Sequence, residues 1–201
     1  MLWPASRLLR SFMFVTLLAP PTAAIAQEPE WFEVGTVVVE VDGVEQVKYA
    51  YDLYVPDGDD TMYAPGATFS YMEEVRMGDM LLLPAYFHVT VLAYDVESED
   101  EQHSVIELNI LVDAATLELT MVEDLRIVYY PNGPDTSNWY QLTEGGVVLD
   151  PVIVLDDDTW SLSGTISGYV SRHLDYDVAH NPDDMFRFEG RFDLSKVVRQ
   201  D

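Results

Sequence analysis

Cysteine is absent from all 201 residues of the chain. This absence excludes disulfides, a cysteine nucleophile and lipid attachment through a cysteine after an export signal. A mature chain of 175 residues (201 minus a 26-residue leader) does not need disulfides, because a domain of this size buries roughly 70% of its unfolded surface. A single domain, 27–201, is therefore the expectation.

Basic residues are scarce, since ten Lys and Arg stand against 36 Asp and Glu. Two of the ten precede residue 27, so 8 basic minus 36 acidic residues leaves −28 for the mature chain. Nucleic acid and anionic membrane surfaces are excluded as partners, because binding them requires clustered Lys and Arg. The acids are dispersed, which favours adaptation to saline surroundings over calcium binding or a cationic ligand or partner protein.

Catalytic motifs are also lacking. There is no G-x-S-x-G elbow and no phosphate-binding glycine loop. His103 and Ser104 are adjacent in sequence, which is not the through-space arrangement of a catalytic triad. A carboxylate pair for glycoside hydrolysis stays open as an alternative, although so many acids make any one pair uninformative.

The first 26 residues have the features of a cleaved signal peptide. Arg7 and Arg10 precede an apolar stretch, 11–19, and small residues at Ala24 and Ala26 offer a cleavage site before Gln27. Two prolines shorten the apolar stretch below the roughly 20 residues of a membrane span. The sequence therefore predicts a periplasmic or secreted protein.

No segment has sustained helical periodicity, whereas short alternating segments separated by turn residues recur along the chain. The predicted strands are 31–41, 46–55, 68–77, 80–96, 104–112, 117–130, 147–155, 160–171 and 185–194. The expected architecture is an all-β antiparallel β-sandwich, with a closed antiparallel β-barrel as the alternative. A small outer-membrane barrel is a further alternative, because its strands alternate in the same way.

Individual segments carry more specific expectations. Asp42-Gly43 predicts a tight hairpin turn, and 56–67 is a loop by composition. The segment 80–96 is apolar on both faces and is predicted to be a covered central strand that Pro84 divides or begins. Pro151 predicts an edge strand or a bend within 147–155.

The stretch VSRHLDYDVAHNPDDMFRFEGRF, 170–192, concentrates histidines and aspartates. One interpretation is a metal site formed by His173, Asp175, Asp177 and His180. The other is the polar face and tip of a hairpin between 160–171 and 185–194, because alternate residues on a strand stand roughly 7 Å apart and do not converge. No cofactor is expected, with calcium as the alternative, and Asp57-Gly58-Asp59-Asp60 does not follow the EF-hand pattern.

Tyrosine and tryptophan are abundant, at 12 and 4 residues. Tyr129, Tyr130, Trp139 and Tyr140 flank a long polar turn, 131–138, and form the candidate for an exposed ligand surface. The sequence as a whole predicts an exported acidic β-domain that binds a ligand or protein partner or has a structural role in the envelope. The rival function is a secreted hydrolase.

Overall fold

The structure is a computed structural model that describes residues 30–57, 60–95, 104–120, 126–134, 138–173 and 183–200. The predicted signal peptide, 1–26, lies outside this part of the chain, as do three of the four metal candidates, Asp175, Asp177 and His180.

The described residues form thirteen β-strands and no helix, so the all-β class is confirmed. The strands are β1 Glu30–Val41, β2 Val44–Asp57, β3 Asp60–Ala64, β4 Ala67–Met72, β5 Val75–Met77, β6 Met80–Leu83, β7 Tyr86–Tyr94, β8 Val105–Asp113, β9 Arg126–Tyr130, β10 Trp139–Leu149, β11 Ile153–Asp156, β12 Thr159–His173 and β13 Met185–Arg199.

Eleven of these strands form one large sheet in the order β11-β12-β10-β9-β8-β7-β4-β13-β1-β2-β3, and β5 and β6 form a separate two-stranded sheet. Further pairings of β12 with β13 and of β7 with β2 connect strands that are distant in this order. The predicted sandwich and the alternative barrel both fit this arrangement. The expectation of purely antiparallel pairing is wrong at one place, because β13 runs parallel to β4.

The first hairpin follows its turn chemistry. Val41 pairs with Val44, which leaves Asp42 and Gly43 as a two-residue connection. Both residues have positive φ, 52° and 77°, as a type I′ turn requires. The Asp-Gly pair therefore fixes the register of β1 against β2, as predicted.

The predicted hairpin of the last third is confirmed, because β12 and β13 pair from Thr159–Val198 to Ser171–Met185. Inward side chains of both strands are buried in the core, as the alternation predicts: Trp160, Leu162, Ile166, Val170, Phe188, Phe192 and Leu194. Gly164 lies opposite Phe192, and a Cβ there would come within 2.7 Å of the Phe192 ring. Glycine at this position gives the ring the space it occupies.

The centre of the core comes from β7 and β8, which pair along their full lengths. The predicted inward set of 104–112, namely Ile106, Leu108, Ile110 and Val112, is fully buried. Pro84 separates β6 from β7, and residues 150–152 separate β10 from the edge strand β11, as the prolines predict. The β8 strand ends at a turn over 114–116.

Several predicted segments differ from the structure. The segment 117–130, predicted as one strand, forms a strand only over Arg126–Tyr130 among its described residues. The predicted loop 56–67 contains β3. This strand pairs with β2, which extends into the predicted loop, so that Pro56 stands opposite Thr61. The predicted strand 68–77 is interrupted at Glu73 and Glu74. The first part of 80–96 is not covered, since every residue of β6 is exposed.

Candidate functional site: an aromatic pocket with an acidic rim

An open pocket of about 390 Å³ lies where the ends of several strands meet. Its lining comes from β4, β7, the turn after β8, the β11–β12 hairpin and the end of β13: Phe69, Tyr71, Phe87, Ala114, Ala115, Leu117, Val154, Asp156, Asp157, Trp160 and Arg199. We call this site the aromatic pocket. Because five separate segments build it, its shape depends on the whole fold.

The floor of the aromatic pocket is a cluster of three rings. Phe69 and Trp160 are stacked, with centroids 3.9 Å apart and planes 12° apart. Phe87 meets both edge-on, at 5.8 Å from Phe69 and 4.7 Å from Trp160. Such arrangements contribute about 0.5–1.5 kcal/mol per pair beyond the burial of area. The floor is therefore apolar and rigid.

Tyr71 forms an exposed wall of the pocket. It lies two residues after Phe69 on the same face of β4, and its ring is 5.5 Å from that of Phe87. Tyr71 retains 47% of its surface exposed, whereas Phe69 is buried. A ligand entering the pocket therefore meets Tyr71 first and the three-ring floor below it.

The rim of the pocket is polar and acidic. Asp156 and Asp157 line it from the β11–β12 turn, and Arg199 lines it from the end of β13. One hydrogen bond lies within the turn, where the Asp158 N–H donates to Asp156 Oδ1 at 2.9 Å. A second ties the turn to β13, because the Arg199 N–H donates to the Asp158 carbonyl at 2.8 Å. Arg199 Nη1 also lies 3.9 Å from Asp158 Oδ1. Two carboxylates and one guanidinium thus line the opening.

A second cluster joins Lys48, Asp95 and Ser104. It lies where β7 ends and β8 begins, at the end of this strand pair that is away from the aromatic pocket. Lys48 Nζ donates to both the Asp95 carboxylate and Ser104 Oγ, and Ser104 Oγ donates to Asp95 Oδ2 at 2.7 Å. Lys48 is only 1% exposed, while the Asp95 side chain is 39% exposed. We call these three residues the ionic cluster.

The ionic cluster holds Asp95 in its charged form. Burial raises the pKa of Asp95, but the hydrogen bonds from Lys48 and Ser104 lower it by more, so its pKa lies below the ordinary value. A serine–lysine catalytic pair requires a neutral amine to accept the serine proton. Because Lys48 is paired with a carboxylate instead, the geometry supports a structural role for this cluster.

The other lysine is also paired internally. Lys196 Nζ lies 2.6 Å from Asp52 Oδ2, and the Gly66 N–H donates to Asp52 Oδ1 at 3.2 Å. Asp52 is the only buried carboxylate among the residues whose side chains the structure describes. The charge of this buried carboxylate is thus neutralised by Lys196.

The predicted metal site is largely untested. His173 ends β12 opposite Trp139, while Asp175, Asp177 and His180 lie outside the described residues. At the base of this segment the Arg172 N–H donates to the Asp184 carbonyl at 3.1 Å. The residues that the structure describes include no cluster of three metal-binding side chains. Thermal unfolding during calcium and zinc titrations, compared with His173→Ala, tests this prediction.

The four aromatic residues predicted as a ligand surface divide between two faces. Tyr129 pairs with Tyr140 across β9 and β10. On the core side, the ring centroids of Tyr140 and Phe186 are 4.9 Å apart. Burial raises the pKa of Tyr140, and the nearby Asp184 carboxylate raises it further. The expectation of exposure is wrong for Tyr129, which is buried because alternation turns it inward.

Tyr130 and Trp139 occupy the opposite face, with ring centroids 6.5 Å apart. The Tyr130 hydroxyl donates to Glu107 Oε2 at 3.1 Å, and the Arg126 guanidinium lies 5.8 Å from the centre of the Trp139 ring. Both rings are half-buried against these polar neighbours. A ligand role for this pair stays a prediction.

The aromatic pocket is not predicted by any pattern in the sequence. Its rings come from the paired strands β4 and β7 and from β12, which is far from both in sequence, and each floor ring alone looks like an ordinary inward residue. Comparison with protein-family models, with curated proteins and with solved structures finds no match. The part of the chain that the structure describes also contains no helix of the length and apolar character needed to cross a bilayer.

Proposed function

We propose that this chain is an exported, acidic, non-enzymatic β-domain that binds a small amphipathic cation in the aromatic pocket. The observation that carries the proposal is the combination of a three-ring apolar floor with a rim of two aspartates and one arginine. Ligand sites in proteins are typically concave and apolar, with a few polar groups that orient the ligand.

The apolar body of the ligand follows from the floor. Phe69 and Trp160 are stacked on each other and buried, so a ligand contacts their edges together with Phe87 and the exposed ring of Tyr71. These surfaces offer area and few hydrogen bonds. A ring or short hydrocarbon chain fits such a floor, whereas a strongly hydrated molecule loses its water without replacement.

The positive charge follows from the rim and from the whole chain. Asp156 and Asp157 outnumber Arg199, and Arg199 already lies beside Asp158. The net charge of the full chain, −26, attracts cations and repels anions at low ionic strength. An ammonium group at the rim is therefore favoured over a carboxylate.

A binding function is favoured over hydrolysis by the exposure of the same aspartates. Asp156 and Asp157 are both solvent-exposed, whereas a general acid needs a carboxyl group whose pKa is raised by a desolvated site. Export rests on the N-terminal sequence, 1–26, and periplasmic or secreted location follows from it. A structural role in the envelope is the alternative if the pocket binds nothing.

Three probes of matched shape test the proposal: phenethylammonium, neutral phenethyl alcohol and the phenylacetate anion. Ligand-observed NMR at low, fixed salt is expected to show binding in that order of strength. Tyr71→Ala and Asp157→Asn are expected to weaken phenethylammonium binding, because each removes one part of the site. Tyr169→Ala, an equally exposed tyrosine of β12 (46% against 47%), and Glu45→Gln are the controls.

Binding of phenylacetate as strong as that of phenethylammonium would contradict the charge argument. Binding of all three probes that is unchanged in Tyr71→Ala would show that they bind outside the pocket.

A further inference from the structure

The β5–β6 hairpin carries four consecutive exposed apolar residues, Met80 to Leu83, the longest such run among the described side chains; the edge strand β11 carries three, Ile153 to Leu155. Its strands form their own two-stranded sheet, and every residue of both strands is exposed. The exposed apolar side chains are Val75, Met77, Met80, Leu81, Leu82 and Leu83. Monomeric proteins rarely leave such a contiguous apolar patch uncovered.

The hairpin is a well-defined extension of the large sheet. The β4–β7 ladder ends at the pair Met72–Tyr86, and the chain between these residues forms the hairpin. Met77 pairs with Met80 around the connection Gly78-Asp79, where Gly78 has a φ of 63°. The turn sequence, not contact with the core, therefore sets the register of this hairpin.

Both faces of the hairpin are apolar, because four apolar residues run consecutively from Met80 to Leu83 and alternate residues point to opposite faces. Neither face packs on the core. An isolated two-stranded hairpin is marginally stable in water, and three or more strands are needed for independent stability. The hairpin is thus missing neighbouring strands.

We infer that a second copy of this chain supplies them, and that two β5–β6 hairpins pair edge to edge into a four-stranded sheet across a two-fold axis. This contact is independent of the aromatic pocket and of its ligand. A two-fold contact brings the same patch from both copies together, so the patch must be compatible with itself.

The charge of the hairpin meets that condition. Residues 75–83 contain one Arg and one Asp, so their charges sum to zero in a chain with a net charge of −26. Arg76 Nε also lies 2.7 Å from Glu74 Oε1, and the two acids at the base, Glu73 and Glu74, bring residues 73–83 to a net charge of −2. The apolar strands themselves are therefore where two copies approach with little local repulsion.

Other occupants fit less well. A bilayer entered tip-first would have to receive Asp79 at the turn, next to the exposed Met80, and a charged group in the apolar phase is costly. A basic protein partner would be attracted by acidic surface, whereas this hairpin is locally neutral. The remaining −26 of each copy opposes self-association but is screened by salt.

Salt dependence therefore distinguishes the occupants. Sedimentation velocity of the purified protein across a concentration series is expected to show a monomer–dimer equilibrium that shifts toward the dimer as salt is raised. Leu82→Asp is expected to raise the dimer dissociation constant at least about tenfold. Val148→Asp changes an even more exposed apolar residue of β10 and is expected to leave that constant unchanged.

Cross-linking provides a second measurement that does not depend on a disruptive variant. The chain contains no cysteine, so a disulfide-linked dimer of a single-cysteine variant must form at the introduced residue. Cysteines placed singly at positions 80–83 are expected to cross-link at one or two of the four positions under mild oxidation, because disulfides need Cα atoms about 4.4–6.8 Å apart. Val148→Cys is the matched control.

The inference is overturned by a protein that stays monomeric at every concentration and salt, or by equal effects of Leu82→Asp and Val148→Asp. It is also overturned if phosphatidylcholine vesicles bind the wild-type protein and not Leu82→Asp while the protein in solution remains monomeric.

Discussion

The ionic cluster lies at one end of the β7–β8 pair, and the floor of the aromatic pocket, built on β4, β7 and β12, lies at the other end. The two close the core by different means. At one end Lys48 is buried by forming contacts with Asp95 and Ser104. At the other, Phe69 and Trp160 are buried by stacking on each other, and the half-buried Phe87 packs against both. The first end depends on matched partners, and the second depends on volume and shape.

This difference has an energetic consequence. Apolar packing loses stability in proportion to the volume removed, in acid as at neutral pH. A buried ion pair contributes little net stability when intact, but removing one partner leaves the other charge without compensation. The two ends are therefore expected to respond differently to mutation, acid and salt.

The largest effect is expected for Trp160→Ala, which removes the ring stacked on Phe69. Loss of a buried tryptophan typically costs about 3–5 kcal/mol of unfolding free energy. Urea denaturation is expected to show a lower midpoint with an unchanged slope. Trp139→Ala, at a half-buried ring on β10, is the control with a smaller loss. A larger loss at Trp139 would contradict the assignment of Trp160 to the core.

Asp95→Asn is expected to cost about 3 kcal/mol, because it leaves the buried Lys48 ammonium without its carboxylate. Lys48→Met is expected to cost only about 1 kcal/mol, since the Asp95 carboxylate that it leaves behind reaches solvent. The two changes combined should cost less than their sum. Equal losses for the two single variants would contradict the argument that the buried Lys48 depends on its partner more than the partly exposed Asp95 does.

Acid is expected to weaken the ionic cluster selectively. The pKa of Asp95 lies below its unfolded value of about 3.9, so its carboxylate stabilises the fold above that pH. This stabilisation is lost as the pH falls through the lower, folded-state pKa. The difference in unfolding free energy between wild type and Asp95→Asn should therefore shrink in acid, while that between wild type and Trp160→Ala should not.

Salt is expected to have the smallest effect and to act on both ends alike. Screening of the dispersed acids should raise the melting temperature of the wild-type protein as salt is added. Trp160→Ala should show the same increase, because it leaves the surface charge unchanged. Equal melting temperatures in low and high salt would count against adaptation of the chain to saline surroundings.

Much of the fold could be predicted from the sequence where alternation was regular. The inward positions of β8 and of the β12–β13 hairpin were identified because polar and apolar residues alternate there. The hairpin turn at Asp42-Gly43 was identified because few residues accept positive φ. These features are local, so the sequence carries them in full.

The prediction failed where tertiary context overrides local pattern. The apolar run 80–83 predicted a covered strand, but Pro84 and the turn at Gly78 separate it from the large sheet. In β2 the fully buried side chains include Lys48 and Asp52, whose burial depends on partners far along the chain. The aromatic pocket could not be predicted either, because no sequence spacing relates β12 to the paired strands β4 and β7.

The pairing of both lysines has a practical consequence for chemical labelling. Lys48 and Lys196 are the only lysines in the chain, and Lys48 is almost completely shielded from solvent. An amine-reactive reagent that modifies lysine side chains in the folded protein is therefore directed to Lys196, whose side chain is 42% exposed. Modification at Lys48 would report opening of the β2 region, which makes this residue a built-in probe of local unfolding.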